Sequence, residues 1–284
     1  MTVPEGMGMK PRTVELARLT TIGVGGPASL WVCHTLDELR EATREPYRVL
    51  GAGSNLLASD AGVPERVIKL GGDFSAADLR TEPADGKLLT GWVGAAKPLP
   101  ALLRALQKAG LSGLEGLWGI PAVVGGAVRM NAGTRFGEIG DALHQVGLFV
   151  NGEERIVSPE ALGLGYRHTD LPRGAIVTRV RFALTPSTPE AVQRGMDEAD
   201  MARKGQPHQR TFGCAFKNPG AASAGRLIDQ AGLKGHRVGG AMISLEHGNF
   251  IVNTGGATAR DVLDLLKAVE SRLGVPLERE VEYW

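Results

Sequence analysis

Forty of the 284 residues are glycine, gathered in clusters that follow no fixed period. Ordinary globular chains carry about half that share, roughly 7%. Without a period the glycines describe neither a collagen-like rod nor a repeat array, and in a chain 43% hydrophobic they do not describe a flexible linker. Clustered glycine in so apolar a chain marks several backbone segments that wrap closely around something, because no side chain keeps the main chain away.

Two of these segments invite a ligand. The strand-like Arg48-Val49-Leu50 runs into Gly51-Ala52-Gly53-Ser54-Asn55-Leu56-Leu57. A dinucleotide fingerprint of the Rossmann kind would need glycine where Leu56 stands and a helix where residues 58–64 read as a turn. What remains is a tight loop whose backbone N–H groups, Ser54 hydroxyl and Asn55 amide can cradle an anion. The second segment runs from Pro121 through Gly125 and Gly126 to Ala127, continuing over Met130-Asn131-Ala132-Gly133. Here Gly125 and Gly126 open the backbone and Asn131 supplies a polar anchor. Two such loops, separated by a strand and a helix, suit a pyrophosphate held from two sides. That predicts a dinucleotide cofactor without a Rossmann fold.

Between and beyond them the pattern is mixed. After a disordered-looking start, strands are expected at 29–32, 48–50, 66–70 and 88–93. Thr35 and Glu38 form a capping box for a helix through Arg44. Leu99, Leu102, Leu103 and Leu106 share one face of a helix that Gly110 ends. Asn151-Gly152 between 146–150 and 154–157 is a hairpin signal, and alternation over 175–184 gives another strand. Thr188 and Pro189 open a charged helix as N-cap and first-turn proline. Ser223 caps a further helix through Ala231, a strand follows at 250–252, and a longer helix covers 258–273. The chain closes on a strand over 277–284. The reading is α+β in two parts, 1–187 and 188–284.

Composition narrows the partners. A net charge of +1 with no basic tract disfavours nucleic acid and anionic membrane. No apolar run reaches spanning length, and the start lacks a signal-peptide apolar region. Cys33 and Cys214 lie far apart in no metal-ligand spacing, and His168, His208, His236 and His247 show none either. The expectation is a reduced, cytoplasmic, soluble protein without metal, acting as a monomer.

The densest chemistry lies in Thr211-Phe212-Gly213-Cys214-Ala215-Phe216-Lys217-Asn218-Pro219, a thiol, an ammonium and a carboxamide between two chain-turning residues. Together with GAGSNLL, VGGAVRMNAG, GYR, SAGRLIDQAGLKG and LEREVEYW, in that order along the chain, GCAFKNP resembles the UDP-N-acetylenolpyruvoylglucosamine reductase family. The resemblance runs from about Thr20 to the last residue. It implies an FAD-binding region of the p-cresol methylhydroxylase or vanillyl-alcohol oxidase type, followed by a smaller α+β domain that closes over a UDP-sugar. The short connection from Tyr166-Arg167 to Gly213-Cys214 resembles the compact subclass, which lacks an inserted substrate-covering loop.

Roles follow from the same resemblance. Arg167 matches the active-site arginine, Cys214 stands where the family more usually has a serine proton donor, and Glu280 matches the carboxyl group at the substrate carboxylate. Tyr166, Lys217 and Asn218 match substrate-binding positions. Gly51, Gly53, Ser54, Asn55, Leu56, Gly125, Gly126, Asn131, Ala132 and Gly133 match the loops around non-covalent FAD, with NADPH as co-substrate. One departure is Ala122, where the family often has glycine. The implied reaction is NADPH-dependent reduction of the enolpyruvyl ether of UDP-N-acetylglucosamine enolpyruvate to UDP-N-acetylmuramate, a step of bacterial peptidoglycan synthesis.

The chemistry calls for these groups. Charge that builds on the substrate α-carbon and its carboxylate is best met by a planar, permanently charged guanidinium and a carboxyl kept protonated by burial. A neutral thiol can then deliver the proton. Residue types alone do not single out Glu280, because strand alternation puts Glu278, Glu280 and Glu282 on one face. That choice rests on the resemblance. Another FAD-dependent sugar or alcohol oxidoreductase of the same fold, and a non-catalytic nucleotide-binding module, are the competing readings.

Overall fold

The computed structural model describes residues 10–220 and 222–284, and three hydrophobic cores organise them. The first forms around a four-stranded sheet of β1 (Arg12–Glu15), β2 (Pro27–Cys33), β3 (Tyr47–Val49) and β5 (Val63–Leu70), in the order β1-β2-β5-β3. A two-residue strand, β4 (Leu56–Leu57), ends the first glycine loop. The helix α1 (Leu36–Ala42) is capped by Thr35, whose hydroxyl accepts from Glu38 N. The return bond of the expected capping box goes from His34 N, not Thr35 N, to the Glu38 carboxylate. Leu39 and Ala42 of α1 then pack with Cys33, Ile68, Phe149 and Ile176 in a smaller fourth cluster that borders the neighbouring core.

That neighbouring core lies on a sheet ordered β13-β12-β14-β7-β6. It comprises β6 (Thr81–Ala84), β7 (Lys87–Thr90), β12 (Leu143–Val150), β13 (Glu153–Val157) and the long β14 (Ile176–Pro186), with β8 (Val93–Gly94) and β9 (Leu111–Ser112) also on β14. The helix α2 (Leu99–Lys108) buries all four leucines of its predicted face. Each contributes about 1.5–3 kcal/mol. Asn151 and Gly152 turn the β12–β13 hairpin at φ 51° and 84°. Behind α2 lie the short helix α3 (Val124–Arg129), the two-residue strands β10 (Gly133–Thr134) and β11 (Gly137–Glu138), and α4 (Pro189–Ala202), which adds Val192 and Met196 to this core.

The third core is a sheet ordered β15-β18-β17-β16 under two helices, α5 (Ala224–Gln230) and α6 (Ala259–Leu273). Its strands are β15 (Arg210–Cys214), β16 (Arg237–Val238), β17 (Ala241–Ile243) and β18 (Phe250–Asn253). Ile22, Val24 and Leu57 of the first lobe are built into this core. The last strand, β19 (Glu282–Tyr283), runs parallel to β4. Asp60 of the first lobe accepts from Ala259 N and Arg260 N, and so caps α6 from outside its own lobe.

Five expectations need correction. Within the start expected to lack order, residues 1–9 lie outside the described residues, and Arg12–Glu15 pairs with β2. The strand over 88–93 is two, because the chain leaves the sheet at Gly91 and returns at Val93, each piece on β14. The closing strand over 277–284 shrinks to two residues, since only there does a partner strand, β4, lie alongside. Gly125 and Gly126 belong to the first turn of α3 and not to a loop. The 211–219 segment enters as a strand, and Gly213, at φ 87°, forms a bulge between Thr211 and Cys214.

Candidate active site

The bulge sets the position of Cys214 at the end of β15. Beyond it the chain is clamped by Asn249, which is buried. Asn249 Oδ1 accepts from Phe216 N at 3.0 Å, its Nδ2 donates to Phe216 O at 2.8 Å, and its carbonyl accepts from Ala215 N at 2.8 Å. The other neighbour is the last stretch of chain, where Glu280 N donates to Ala215 O at 2.9 Å. Cys214 and Glu280, 66 positions apart in sequence numbering, therefore sit on adjoining backbones.

Arg167 arrives from the second lobe. Gly165 and His168 exchange backbone hydrogen bonds, which puts Tyr166 and Arg167 at the tip of a tight turn with Arg167 at φ 52°. Its guanidinium bridges three groups: Gly133 O at 2.5 Å, Glu138 Oε1 at 3.3 Å and Glu280 Oε1 at 3.4 Å. Tyr166 covers the guanidinium with its ring, 5.0 Å from centroid to Cζ, while remaining 48% exposed. Lys217 pairs with Glu278 at 2.7 Å.

Electrostatics separate the acids. Among Glu278, Glu280 and Glu282, only Glu280 is withdrawn from water, with 16% of its side chain exposed against 71% for Glu278. Burial pushes its carboxyl above the usual carboxylate range, against the opposing pull of Arg167 and Lys217. Burial, then the charge of Glu280, also pushes the Cys214 thiol up to about 12, while Arg167, Arg203 and a hydrogen bond from Asn249 oppose it.

Arg203, at the carboxy-terminal cap of α4, was not singled out by the sequence. Its side chain crosses Gly119, where a Cβ would meet Arg203 Cδ and Nε at 2.7 Å, and its charge acts on Cys214. Burial lowers the pKa of this guanidinium, with Cys214 and Asp200 opposing. The one signal available was Gly119 itself, a φ of 86° that also leaves room for a long side chain.

The two glycine segments face each other. A Cβ on Gly51 would stand 3.2 Å from Val123 Cγ2 and 3.9 Å from the Cα of Gly126, and Gly126 has only Val123 Cγ2, at 3.8 Å, near its own missing side chain. This is a cradle that side chains would fill, and it fits the pyrophosphate of a dinucleotide. Other predicted contact residues also make bonds within the fold. Gly53, at φ 67°, is required because a Cβ would lie 2.1 Å from Leu19 O, and Gly125 donates to Ala95 O while packing on the Ala95 methyl. Leu56 is buried in β4, and Asn55 Nδ2 donates to Glu280 O at 2.9 Å. Asn131 gives its amide protons to Glu138 and Gly165 and accepts from Gly140 N. Ala132 bonds through its backbone to Ala127 and Ile139, and Gly133 holds Arg167. Asn218 Oδ1 accepts from Ala224 N at the start of α5.

A glycine cradle opening beside a half-buried guanidinium, carboxyl and thiol defines a cofactor-dependent enzyme, and residues 32–157 match the family model described as an FAD binding domain, which makes it a flavin-dependent oxidoreductase. Residues 206–284 match the carboxy-terminal domain of UDP-N-acetylenolpyruvoylglucosamine reductase. The chain belongs to the UDP-N-acetylenolpyruvoylglucosamine reductase family. A member from Deinococcus radiodurans is 56% identical over 280 residues, covering 98% of this chain and 97% of its own. One from Thermus thermophilus is 58% identical over 276 residues, 97% of this chain and all of its own. The crystal structure of the reductase from Thermus caldophilus superposes with a TM-score of 0.91 at 58% identity, over 97% of this chain and 99% of that one.

Proposed function

We propose that this chain reduces the enolpyruvyl group of UDP-N-acetylglucosamine enolpyruvate to UDP-N-acetylmuramate with NADPH, in peptidoglycan precursor synthesis. FAD, bound non-covalently between Gly51 and Gly126, supplies the hydride relay between the two nucleotides. The observation that carries the reading is the convergence of Arg167, Glu280 and Cys214 from three separate stretches of chain, with Arg167 Nε 3.4 Å from Glu280 Oε1.

Each group has one task. When hydride reaches the vinyl β-carbon, negative charge spreads from the α-carbon into the substrate carboxylate. Arg167, always charged and held on three acceptors, meets that charge with a fork already in place. Glu280, whose carboxyl burial makes readier to hold a proton, donates a hydrogen bond to the same oxygens. The Cys214 thiol then protonates the α-carbon. Lys217, and Arg203 beside the thiol, offer cations to the sugar nucleotide's anionic groups. Tyr166 lies at the rim, and Asn218 shapes the turn that presents Lys217.

The fit of α4 and the family match both support a substrate domain that begins after α4, near residue 206, and an FAD-binding part that takes in α4. The site is built within one chain, which supports action as a monomer, and the use of NADPH and a UDP-sugar supports action in the cytoplasm. No helix among the described residues is long and apolar enough to cross a membrane. An alcohol or sugar oxidase of the same fold is not favoured by the family match.

The test is spectroscopic. Purified protein should be yellow, bleach on anaerobic addition of NADPH and regain its colour with the enolpyruvyl sugar nucleotide. A colourless protein, or a bleached one that the sugar nucleotide leaves bleached, overturns the reading.

A further inference from the structure

Arg167 holds an unusual backbone conformation. Four non-glycine residues among those described have a positive φ. Asp85 and Asn151 stand before a glycine in hairpin turns, where that conformation is ordinary. The other two, Asn131 at 42° and Arg167 at 52°, are bound to one carboxylate. Glu138 Oε2 accepts from Asn131 Nδ2 at 2.7 Å, and Oε1 from Arg167 Nη1 at 3.3 Å. Asn131 can afford a left-handed backbone as the residue after a helix cap, but an arginine there persists only when its surroundings hold it. Glu138 is itself fixed at the end of β11, where its N–H donates to Asp141 Oδ2 at 2.7 Å.

We propose that Glu138 is the positioning residue for Arg167, holding the guanidinium against Glu280. This rests on the function proposed above. The charged and titratable groups that act on Glu280 or lie around it come from four elements. They are Arg167 on its turn, Lys217 with Glu278 on the segment after β15, Cys214 at the end of β15, and Arg203 at the end of α4. Glu138 adds a negative charge on the far side of Arg167. Removing it lets Arg167 draw away from Glu280, and losing the largest pull that opposes burial there disfavours the carboxylate form of Glu280. The pH at which Glu280 loses its proton must then rise.

The experiment compares holoenzyme with Glu138→Gln and Glu138→Asp. Flavin content, thermal midpoint, flavin reduction by NADPH and re-oxidation by the enolpyruvyl sugar nucleotide are followed across pH. For Glu138→Gln, re-oxidation should slow by roughly tenfold, the scale of one hydrogen bond to a charged group, and more than reduction does. Its alkaline limb should move to higher pH. Glu138→Asp, with charge retained, should keep that limb at the wild-type position whatever its rate. A limb in Glu138→Gln that coincides with wild type, or equal losses in both steps alongside a lowered thermal midpoint, reduces Glu138 to a structural strut. If Glu138→Gln does not fold, a displaced limb in Glu138→Asp overturns the assignment. A crystal structure of Glu138→Gln reads it without turnover: Arg167 leaving Gly133 and Glu280 is expected, and an unmoved guanidinium ends it. Wild-type protein that fails to re-oxidise defeats the proposed function instead, a result the structural readout keeps separate.

Discussion

A thiol pushed up to about 12 is a poor nucleophile and a reserved acid, and both properties follow from where Cys214 lies. Burial disfavours the thiolate, and the neighbouring Glu280 adds to that whenever it is ionised. The native state therefore holds the proton far above the ordinary thiol range, and the site keeps a proton to give throughout neutral pH. Cys214→Ala should still be reduced by NADPH, whereas re-oxidation by the sugar nucleotide slows by roughly a hundredfold or more, as when a positioned general acid is lost. Cys214→Ser should recover much of that rate. Stopped-flow measurement of the two steps decides; an unchanged second step in Cys214→Ala removes the role. The same burial predicts slow alkylation. Near neutral pH iodoacetamide should modify Cys214 far more slowly than a free thiol, by on the order of a hundredfold or more, and faster as pH climbs toward 12. Mass spectrometry of the labelled protein at several pH values checks this.

Two adjacent glycines in the first turn of α3 do different work, and only the structure separates them. A Cβ on Gly125 would stand 2.8 Å from the Ala95 methyl, inside the contact between α3 and the sheet. Gly125→Ala should therefore destabilise even cofactor-free protein, by about 1–3 kcal/mol of overpacking. Gly126 opens on the cradle, so Gly126→Val should leave the thermal midpoint of the apoprotein nearly unchanged while weakening FAD retention. Equal effects of the two changes on the apoprotein would sink the distinction. The sequence could not assign these tasks, although it found the segment. What it did make legible is local: the leucine stripe of α2, the Asn151-Gly152 turn and the Thr258 start of α6 are set by neighbours along the chain. The site is non-local. Alternation could not choose among Glu278, Glu280 and Glu282, because the segment is a strand only at its end and burial against Ala215 and Arg167 makes the choice. Arg203 carried no signal of its own beyond Gly119, since its place depends on where α4 ends over that glycine. The motifs that resemble the reductase family supplied what periodicity could not.

Across the whole molecule, the first and third lobes are fastened together. Asp60 caps α6, Asn253 Nδ2 donates to Ile22 O, β19 lies on β4, and Trp284 exchanges backbone hydrogen bonds with Leu57 and Ser59. The cradle lies instead between the first and second lobes, with no histidine or cysteine in either glycine segment to attach a flavin. Acid precipitation should therefore release all the yellow colour to the supernatant, and colour retained in the pellet would contradict non-covalent binding. Bound FAD should also raise the thermal midpoint in proportion to the logarithm of its free concentration, because only the folded cradle holds it.

The bond from Asn55 to Glu280 spans 225 positions of chain. A ribosome adding roughly 5–20 residues per second needs on the order of ten to fifty seconds to make that stretch. During that interval the Gly51 loop, Arg167 and Cys214 emerge one after another with no acid to complete them. Glu280 arrives just ahead of β19, so the newborn chain is without this carboxyl until β19 docks beside β4. Closing so distant a contact costs loop entropy that only the finished packing returns, which makes the assembly of this site a late event in the life of each molecule.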